Sequence, residues 1–374
     1  MDIARLKEKL GEIPDHRRPW GNLRHKLEDI LVIGLATLLC NGSDFEDMEE
    51  FGLERESELR KFLELPQGIP DESTFFRVFQ RVKPEALSAC LYSWLAEARE
   101  LQGGSVNIDG KTIRGSGKGD RNAVHVVSAW AGEEEIVLGQ LAVDEKSNEI
   151  TAIPKLLDLF DIKGATVTID AMGCQTEIAK KIREKKGNYL LAVKDNHKTL
   201  HQEIREYFEG LEQGDIRDLP EDVWVTDEER KHGRVEQREV RSVTDIQWLQ
   251  GKPDWKDLKT IIQYRCFRDG VKTDRYYISN ADMSALEFYR YIRGHWSIEN
   301  RLHWSLDMVF REDAAQVSKD HAPENLNILR KIALSLLRAA EDPRFMGKKK
   351  MSGPKKRFVA SMRPNYMFTV LFGK

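Results

Sequence analysis

The chain has 374 residues, of which 32% are charged and 40% hydrophobic, and its formal net charge is −3. This length predicts two or three folding units with a sizeable core, and no run of about 18 apolar residues predicts a membrane span. A net charge near zero is unusual for a nucleic-acid binder, so any basic footprint must be local.

The cysteines and the N-terminus indicate a reducing compartment. The four cysteines, Cys40, Cys90, Cys174 and Cys266, are isolated in the sequence. This spacing argues against zinc fingers and against a disulfide framework. The first residues lack the apolar core of a signal peptide, so we expect a cytoplasmic protein. Cys174 is a candidate nucleophile, but a small buried hydrophobic residue is the favoured interpretation.

Residues 1–100 are predicted to form a helical N-terminal domain. A Pro/Gly loop leads into a capped helix over 75–82 that carries Arg77, Gln80 and Arg81. A helix, a turn and a basic helix are typical of a helix-turn-helix DNA reader. Many helical hairpins of this kind bind nothing, so a purely structural role stays open.

Strands dominate the predicted first part of a core over residues 101–215. The predicted strands are 105–109, 124–130, 135–143, 165–169 and 189–193, and the predicted helices are 151–160, 175–186 and 195–212. This is the order of an RNase H-like α/β sheet. Helical crossovers imply that the later strands run parallel to the first, so the ends of the first and fourth strands should lie side by side. Asp109 and Asp170, at the ends of those two strands, should then meet.

The rest of the chain alternates again between β and helical patterns. Residues 216–282 are predicted to form a small antiparallel β insertion that interrupts the core. Residues 283–340 are predicted core helices, one over 284–310 that carries Glu299 and another over 324–340.

Residues 341–374 are predicted to be a basic C-terminal tail. After Asp342 no acidic residue occurs, and the basic residues are Arg344, Lys348, Lys349, Lys350, Lys355, Lys356, Arg357, Arg363 and Lys374. A DNA-binding segment and a solvated tail are equally compatible with this composition.

Asp109, Asp170 and Glu299 are the candidate catalytic residues. Each aspartate follows a run rich in β-branched residues, so we expect it at the exposed end of a buried strand. Carboxylates are the ligands that hard divalent cations prefer. Two such ions about 3.5–4 Å apart are a common device for cutting phosphodiesters. The alternative is that both aspartates only cap turns. A P-loop at Lys111 is excluded, because its first glycine would fall at Ser105.

Three sequence blocks resemble those of DDE transposases of bacterial insertion sequences, in the subgroup that includes the H-repeat-associated proteins of Rhs elements. The blocks are 108–116, which begins Ile108-Asp109-Gly110-Lys111, 169–175, which begins Ile169-Asp170-Ala171, and 295–304, which begins His295-Trp296-Ser297-Ile298-Glu299-Asn300. The resemblance covers about residues 13–337. Three blocks in the family's order are far more specific than any one of them.

The resemblance implies an RNase H-like core on which Asp109, Asp170 and Glu299 bind Mg²⁺ or Mn²⁺, with two ions per site. It implies metal-dependent cleavage and joining of double-stranded DNA at the terminal inverted repeats of an insertion sequence and in target DNA. We expect a homodimer on DNA, because two element ends must be held together, and no membrane partner.

Basic residues and histidines near these blocks are candidate DNA contacts. The candidates are Arg77, Arg81, Lys111, Arg114, Lys194, Arg234, Arg238, His295, Arg301 and His303. The wider class keeps a Tyr-x2-Arg-x3-Glu-x6-Lys signature, from which this chain departs at Ile292, His295 and Leu306. On an α-helix His295, Glu299 and His303 would share one face. Trp296 and Trp304 are interpreted as core residues.

Three other functions stay open. A related metal nuclease would cut without strand transfer, and no residue distinguishes it. A catalytically inactive DNA-binding relic would typically have lost a carboxylate, whereas all three are present. A glycosidase with paired carboxylates would bind sugars and need no metal.

Overall fold

A computed structural model describes residues 3–17, 23–97, 103–119, 122–143, 149–215, 221–231, 234–340 and 351–373. The N-terminal region is helical, as predicted. Its helices are α1 (Ile3–Gly11), α2 (Leu27–Leu39), α3 (Phe45–Glu54), α4 (Glu56–Leu59), α5 (Glu72–Arg81) and α6 (Pro84–Glu97). Asp44 and Asp71 cap α3 and α5 by accepting backbone N–H groups three residues on.

The first part of the core contains five strands and three helices. The strands are β1 (Ser105–Thr112), β2 (His125–Ala131), β3 (Ile136–Val143), β4 (Thr166–Ile169) and β5 (Asn188–Val193), and the helices are α7 (Glu149–Leu157), α8 (Thr176–Glu184) and α9 (Lys198–Gln213). The strand order is β3-β2-β1-β4-β5. Strand β1 runs antiparallel to β2 and parallel to β4, which runs parallel to β5. The predicted order and strand directions are therefore confirmed.

The predicted β insertion does not stand apart from this sheet. Its strands are β6 (Glu221–Val225), β7 (Glu229–Lys231), β8 (Arg234–Val243), β9 (Thr260–Arg268) and β10 (Val271–Ser279). They are antiparallel to one another as predicted, but β10 also pairs antiparallel with β5. All ten strands therefore belong to one sheet. The pairing with β10 covers the edge of β5, which would otherwise have unpaired backbone groups.

The helix predicted over 284–310 is interrupted. It begins as α10 (Ala285–His295), with a capping box between Ser284 and Glu287. A π-helix (Ile298–His303) follows, and α11 (Trp304–Met308) completes the segment. The segment is helical, as predicted, but part of it is a π-helix, and π-helical turns are frequently found at functional sites.

Helix α12 (Ala322–Ala339) packs between the N-terminal helices and the core sheet. It packs against α2, α5 and α6 and against β3. Asn325 donates from Nδ2 to the carbonyls of Phe79 and Val82, both at 2.8 Å. The N-terminal helices therefore share a core with the last core helix. No helix in the described ranges is long and apolar enough to cross a membrane.

The described part of the basic tail is folded. Helices α13 (Gly353–Met362) and α14 (Pro364–Phe372) pack on α2 and α12. Arg357 is 3% exposed and donates to the carbonyls of Leu38, Gly42 and Val309. A solvated tail is thus wrong for 351–373. Arg344, the lysines at 348–350 and Lys374 lie outside the described residues.

Candidate active site

Strand register brings the two aspartates together. In the parallel β1–β4 pair Ile108 lies opposite Ile169, and Asp109 and Asp170 are the next residues on each strand. These isoleucines are the last residues that pair between the two strands, so both aspartates lie where β4 ends. Strand β1 itself continues to Thr112 alongside β2. Asp109 therefore lies within its strand, and the prediction that the strand ends at Asp109 is wrong.

Asp109 sits in a confined and negatively charged environment. Burial, together with the charges of Asp170, Glu299 and Glu149, raises the pKa of its carboxyl to about 7. Because the charges of Asp170 and Glu299 act on Asp109, the three predicted carboxylates lie in one neighbourhood, which we call the carboxylate cluster. Within the described part of the chain, no three His, Cys, Asp or Glu side chains form a compact set of metal ligands.

The other two carboxylates are more open. Asp170 is exposed, and its Oδ1 accepts from the backbone N–H groups of Met172 at 3.0 Å and Gly173 at 3.3 Å. It therefore caps a turn, as the alternative interpretation predicted, while its second oxygen remains open to other partners. Glu299 is exposed on the π-helix.

His295 lies beside the strand pair that leads to the two aspartates. Its Nδ1 is 2.9 Å from the hydroxyl of Thr168, which is 2.7 Å from Oδ1 of Asn107. Burial lowers the pKa of His295 to about 4, so the ring is neutral near pH 7. A contact of His295 with DNA would therefore be made by a neutral ring, and it stays a prediction.

His303 also faces inward. Its Nδ1 is 3.6 Å from Oδ2 of Asp109, which is too long for a hydrogen bond. Burial lowers its pKa to about 3, and its Nε2 is buried without a partner among the described residues. The side chain is 12% exposed, so a contact of His303 with DNA would be made by a neutral ring, and it stays a prediction.

Lys111 forms ion pairs with three carboxylates that are not part of the predicted catalytic set. Its Nζ lies 2.8 Å from Asp307, 3.0 Å from Glu312 and 3.2 Å from Asp313, and its side chain is 12% exposed. These three carboxylates pair with the Lys111 ammonium, and its predicted contact with DNA stays a prediction. Arg114 differs from Lys111 because its side chain is 83% exposed. Its one ion pair among the described residues is a contact of 3.6 Å between its Nε and Oδ2 of Asp313.

Lys194 follows β5 at the sheet edge where Asp170 follows β4. In that parallel pair Ile169 lies opposite Leu191. Asn196 donates to the carbonyl of Ala171 at 2.7 Å, which ties the two loops together. Lys194 is exposed beside the cluster, as predicted.

The two arginines of the predicted DNA contact on β8 differ in exposure. Arg234 is exposed, whereas Arg238 is 5% exposed. Arg238 pairs with Glu236 and lies 3.7 Å from Glu229. Arg238 is ion-paired, as the alternative interpretation predicted, but the pair is buried and not exposed, and the predicted DNA contact stays a prediction. His232 and Gly233 of the same motif lie outside the described residues.

Arg77 and Arg81 line a cavity of about 380 Å³ on the N-terminal helices. Arg17, Arg24 and His25 also line it, with Asp71 as an acidic member. Four arginines therefore converge on one concave surface. Gln80 is 9% exposed, so its predicted part in a DNA-reading face is wrong.

Arg301 points away from the carboxylate cluster. It pairs with Glu135 and lines a second cavity with Ser105 and Gly132, at the start of β1. Trp304 is 54% exposed, so its interpretation as a core residue is wrong.

Trp296 is half-buried between the guanidinium groups of Arg275, 4.9 Å from its ring centroid, and Arg293, at 4.7 Å. Cys174 is fully buried, and burial raises the pKa of its thiol, so the structural interpretation of that residue is confirmed.

Several polar residues around the site escaped prediction. Asn107 and Thr168 each stand two residues before an aspartate, and this shared spacing was the available signal. Glu149 accepts from or donates to Nε2 of His125 at 2.7 Å, beneath Gly110. Lys331 is buried and contacts Ser128, the residue opposite Asp109, at 2.7 Å. Nothing in the sequence distinguishes Glu149 or Lys331.

Comparisons with known proteins identify the family. Residues 103–336 match the family model described as Transposase DDE domain, and residues 7–95 match one described as DDE_Tnp_1-associated. The chain therefore belongs to the DDE transposase family, and the resemblance of its three acidic blocks is confirmed.

Individual relatives agree with this membership. The protein named "Putative transposase YncI" of Escherichia coli O157:H7 is 40% identical over 354 residues, covering 91% of this chain and 89% of that protein. The "H repeat-associated putative transposase YhhI" of Escherichia coli K12 is 36% identical over 386 residues, covering 100% and 99%. The predicted subgroup is thereby confirmed.

Among solved structures, a piggyBac transposase synaptic complex with hairpin DNA superposes with a TM-score of 0.40 and 12% identity. The superposition covers 99% of this chain and 79% of that one. Similarity at this level establishes neither a common fold nor a common site.

Proposed function

We propose that this transposase cleaves and joins DNA strands at the ends of an insertion sequence, on an RNase H-like core, with Asp109, Asp170 and Glu299 as its catalytic residues. The observation that carries the proposal is the β1–β4 register, which places the two aspartates side by side. The charge of Glu299, acting on Asp109, adds the third member.

The three carboxylates suit Mg²⁺ or Mn²⁺. They offer hard oxygen atoms, and burial together with their mutual repulsion raises the pKa of Asp109, so a cation between them would be stabilised. Because Mg²⁺ keeps several waters, carboxylates that do not form a compact shell can hold it partly through water. Two ions would supply charge stabilisation for the attacking and leaving oxygens of a phosphodiester.

Two surfaces are suited to bind the DNA backbone. Arg114 and Lys194 are exposed near the carboxylate cluster, and the cavity lined by Arg77 and Arg81 lies on the N-terminal helices. Arg234 supplies a further exposed cation on β8. Holding two element ends together requires two such sets, so we propose a homodimer on DNA.

The carboxylates are tested by isosteric neutral variants. Asp109→Asn, Asp170→Asn and Glu299→Gln should each lower cleavage of a duplex carrying the terminal repeat by about a thousandfold, which corresponds to about 4 kcal/mol at the transition state. Binding of the same duplex in Ca²⁺ should persist. The melting temperature should not fall, because each change removes a repelling charge.

Asp195→Asn, which alters an exposed carboxylate in the loop after β5, serves as the control and should cleave normally. A triad variant that cuts at the wild-type rate would remove that residue from the site. Cleavage without joined products would favour the related nuclease, and DNA binding without cleavage would favour the inactive relic.

A further inference from the structure

A buried polar pair lies directly beneath the two aspartates. Asn107 on β1 is opposite Thr168 on β4, and the two residues are 0% and 2% exposed. Because side chains alternate along a strand, these two residues share the face of Asp109 and Asp170. Burying two polar side chains in a strand core is costly unless they are hydrogen-bonded.

The hydrogen bonds of this pair determine the tautomer of His295. The Thr168 hydroxyl donates to Oδ1 of Asn107 at 2.7 Å, which uses its single hydrogen. The contact of 2.9 Å between Nδ1 of His295 and the same hydroxyl must then be donated by the ring. A neutral ring with its proton on Nδ1 carries a lone pair on Nε2.

The same pair connects all three carboxylate-bearing elements. Nδ2 of Asn107 lies 3.4 Å from the hydroxyl of Ser297, two residues before Glu299. His295 is the last residue of α10, which leads into the π-helix. Asn107 and Thr168 thus link β1 and β4 to the segment that carries Glu299.

We propose that Asn107 and Thr168 are positioning residues that hold His295 as its Nδ1–H tautomer, so that Nε2 accepts a hydrogen bond from the attacking hydroxyl group beside Asp170. The proposal rests on the proposed function, and it assigns His295 the role of a neutral acceptor. The hydroxyl is that of water in cleavage and of a DNA 3′ end in joining. Nδ1 of the ring lies 2.9 Å from the hydroxyl of Thr168, two residues before Asp170, which places the ring at that side of the cluster.

The tautomer can be measured without any activity. The two ring nitrogens of a neutral histidine have widely separated nitrogen-15 chemical shifts, and His295→Gln identifies the signals of His295. We expect a protonated Nδ1 and an unprotonated Nε2 in the wild-type protein at pH 7. A wild-type ring protonated on Nε2 would overturn the proposal.

The chain offers a matched control for Thr168. Thr166 is on the same strand and the same face, is 1% exposed, and its hydroxyl has no hydrogen-bond partner among the described residues. Thr168→Val should lower both cleavage and strand joining by about 10- to 100-fold, as removal of a supporting hydrogen bond commonly does. Thr166→Val should leave both rates unchanged, and Thr168→Ser should restore them.

A double-mutant cycle tests whether Thr168 acts through His295. In a His295→Ala background, Thr168→Val should cause little further decrease in rate, because the ring it positions is gone. Equal decreases in both backgrounds, or equal rates for Thr168→Val and Thr166→Val, would overturn the proposal. Wild-type protein that does not cleave would instead reject the proposed function, while the tautomer measurement still decides the state of His295.

Discussion

At the scale of single residues, Gly110 shows how tightly the site is built. A Cβ at this position would lie 2.4 Å from Oε1 of Glu149 and 2.5 Å from Nε2 of His125. Only glycine therefore allows the His125–Glu149 pair to pack directly behind Asp109. The pair brings a fourth negative charge to bear on Asp109, which explains part of its raised pKa.

Glu324 provides a pH test of the core away from the site. Burial and the charge of Glu85 raise the pKa of Glu324 to about 7. The folded state therefore binds more protons than the unfolded state between about pH 4.5 and 7, and the contribution of Glu324 to stability falls as pH rises through that window. Glu324→Gln should exceed the wild type in unfolding free energy by on the order of 2 kcal/mol at pH 8, and by much less at pH 5.

Denaturant unfolding at several pH values measures this difference. Glu177→Gln, an exposed change on α8, should show no comparable trend with pH. A pH-independent difference for Glu324→Gln would show that the carboxyl titrates normally in the folded protein.

At the scale of elements, the junction of β5 and β10 decides whether the predicted insertion is a separate unit. Asn280 follows β10, accepts from the backbone N–H of Tyr189 at 2.7 Å, and donates to Oδ1 of Asn188 at 2.8 Å. Ser279 donates to the carbonyl of Tyr189 at 2.7 Å. The strands of the insertion are therefore held to the core sheet by side-chain hydrogen bonds as well as by the backbone hydrogen bonds between β5 and β10.

Asn280→Ala should lower the free energy of unfolding by about 1–3 kcal/mol, because the buried N–H of Tyr189 would be left without an acceptor. The transition should remain single, since β6–β10 and the core share one sheet. Asn300→Ala, an exposed change, is the control. Two separate transitions in the wild-type protein would show that the insertion folds independently.

The π-helix has the clearest functional consequence among the helices. It places Glu299 and His303 on a wider turn than an α-helix would. His303 can therefore approach Asp109 while the Glu299 side chain stays exposed. The departure from helical regularity falls at the proposed catalytic residue.

At the scale of the whole molecule, DNA binding must be local because the net charge is −3. The cavity lined by Arg17, Arg24, Arg77 and Arg81 concentrates positive charge on the N-terminal helices. The described part of the C-terminal tail presents less positive charge to DNA than its composition suggests, because Arg357 is buried in the fold.

The double variant Arg24→Gln with Arg81→Gln should weaken binding to any duplex. The slope of the logarithm of the binding constant against the logarithm of the salt concentration should become shallower by up to about 1.8, because each phosphate that is no longer neutralised contributes roughly 0.9. Fluorescence anisotropy at several salt concentrations measures that slope. Arg60→Gln with Arg205→Gln removes two exposed arginines elsewhere and should leave it unchanged. An equal effect of both pairs would mean that the cavity has no special phosphate role.

The sequence by itself determined the three acidic blocks, the helical N-terminal region and the strand order that brings Asp109 to Asp170. These follow from local β-branched and helical patterns and from the handedness of helical crossovers. Only the tertiary structure decided which basic residues are free and which are neutral or paired. Lys111 is held by carboxylates about two hundred residues away in sequence. His295 and His303 lose their charge through burial against β1 and β4. Burial and charge pairing depend on contacts between distant segments, so no local pattern in the sequence could reveal them.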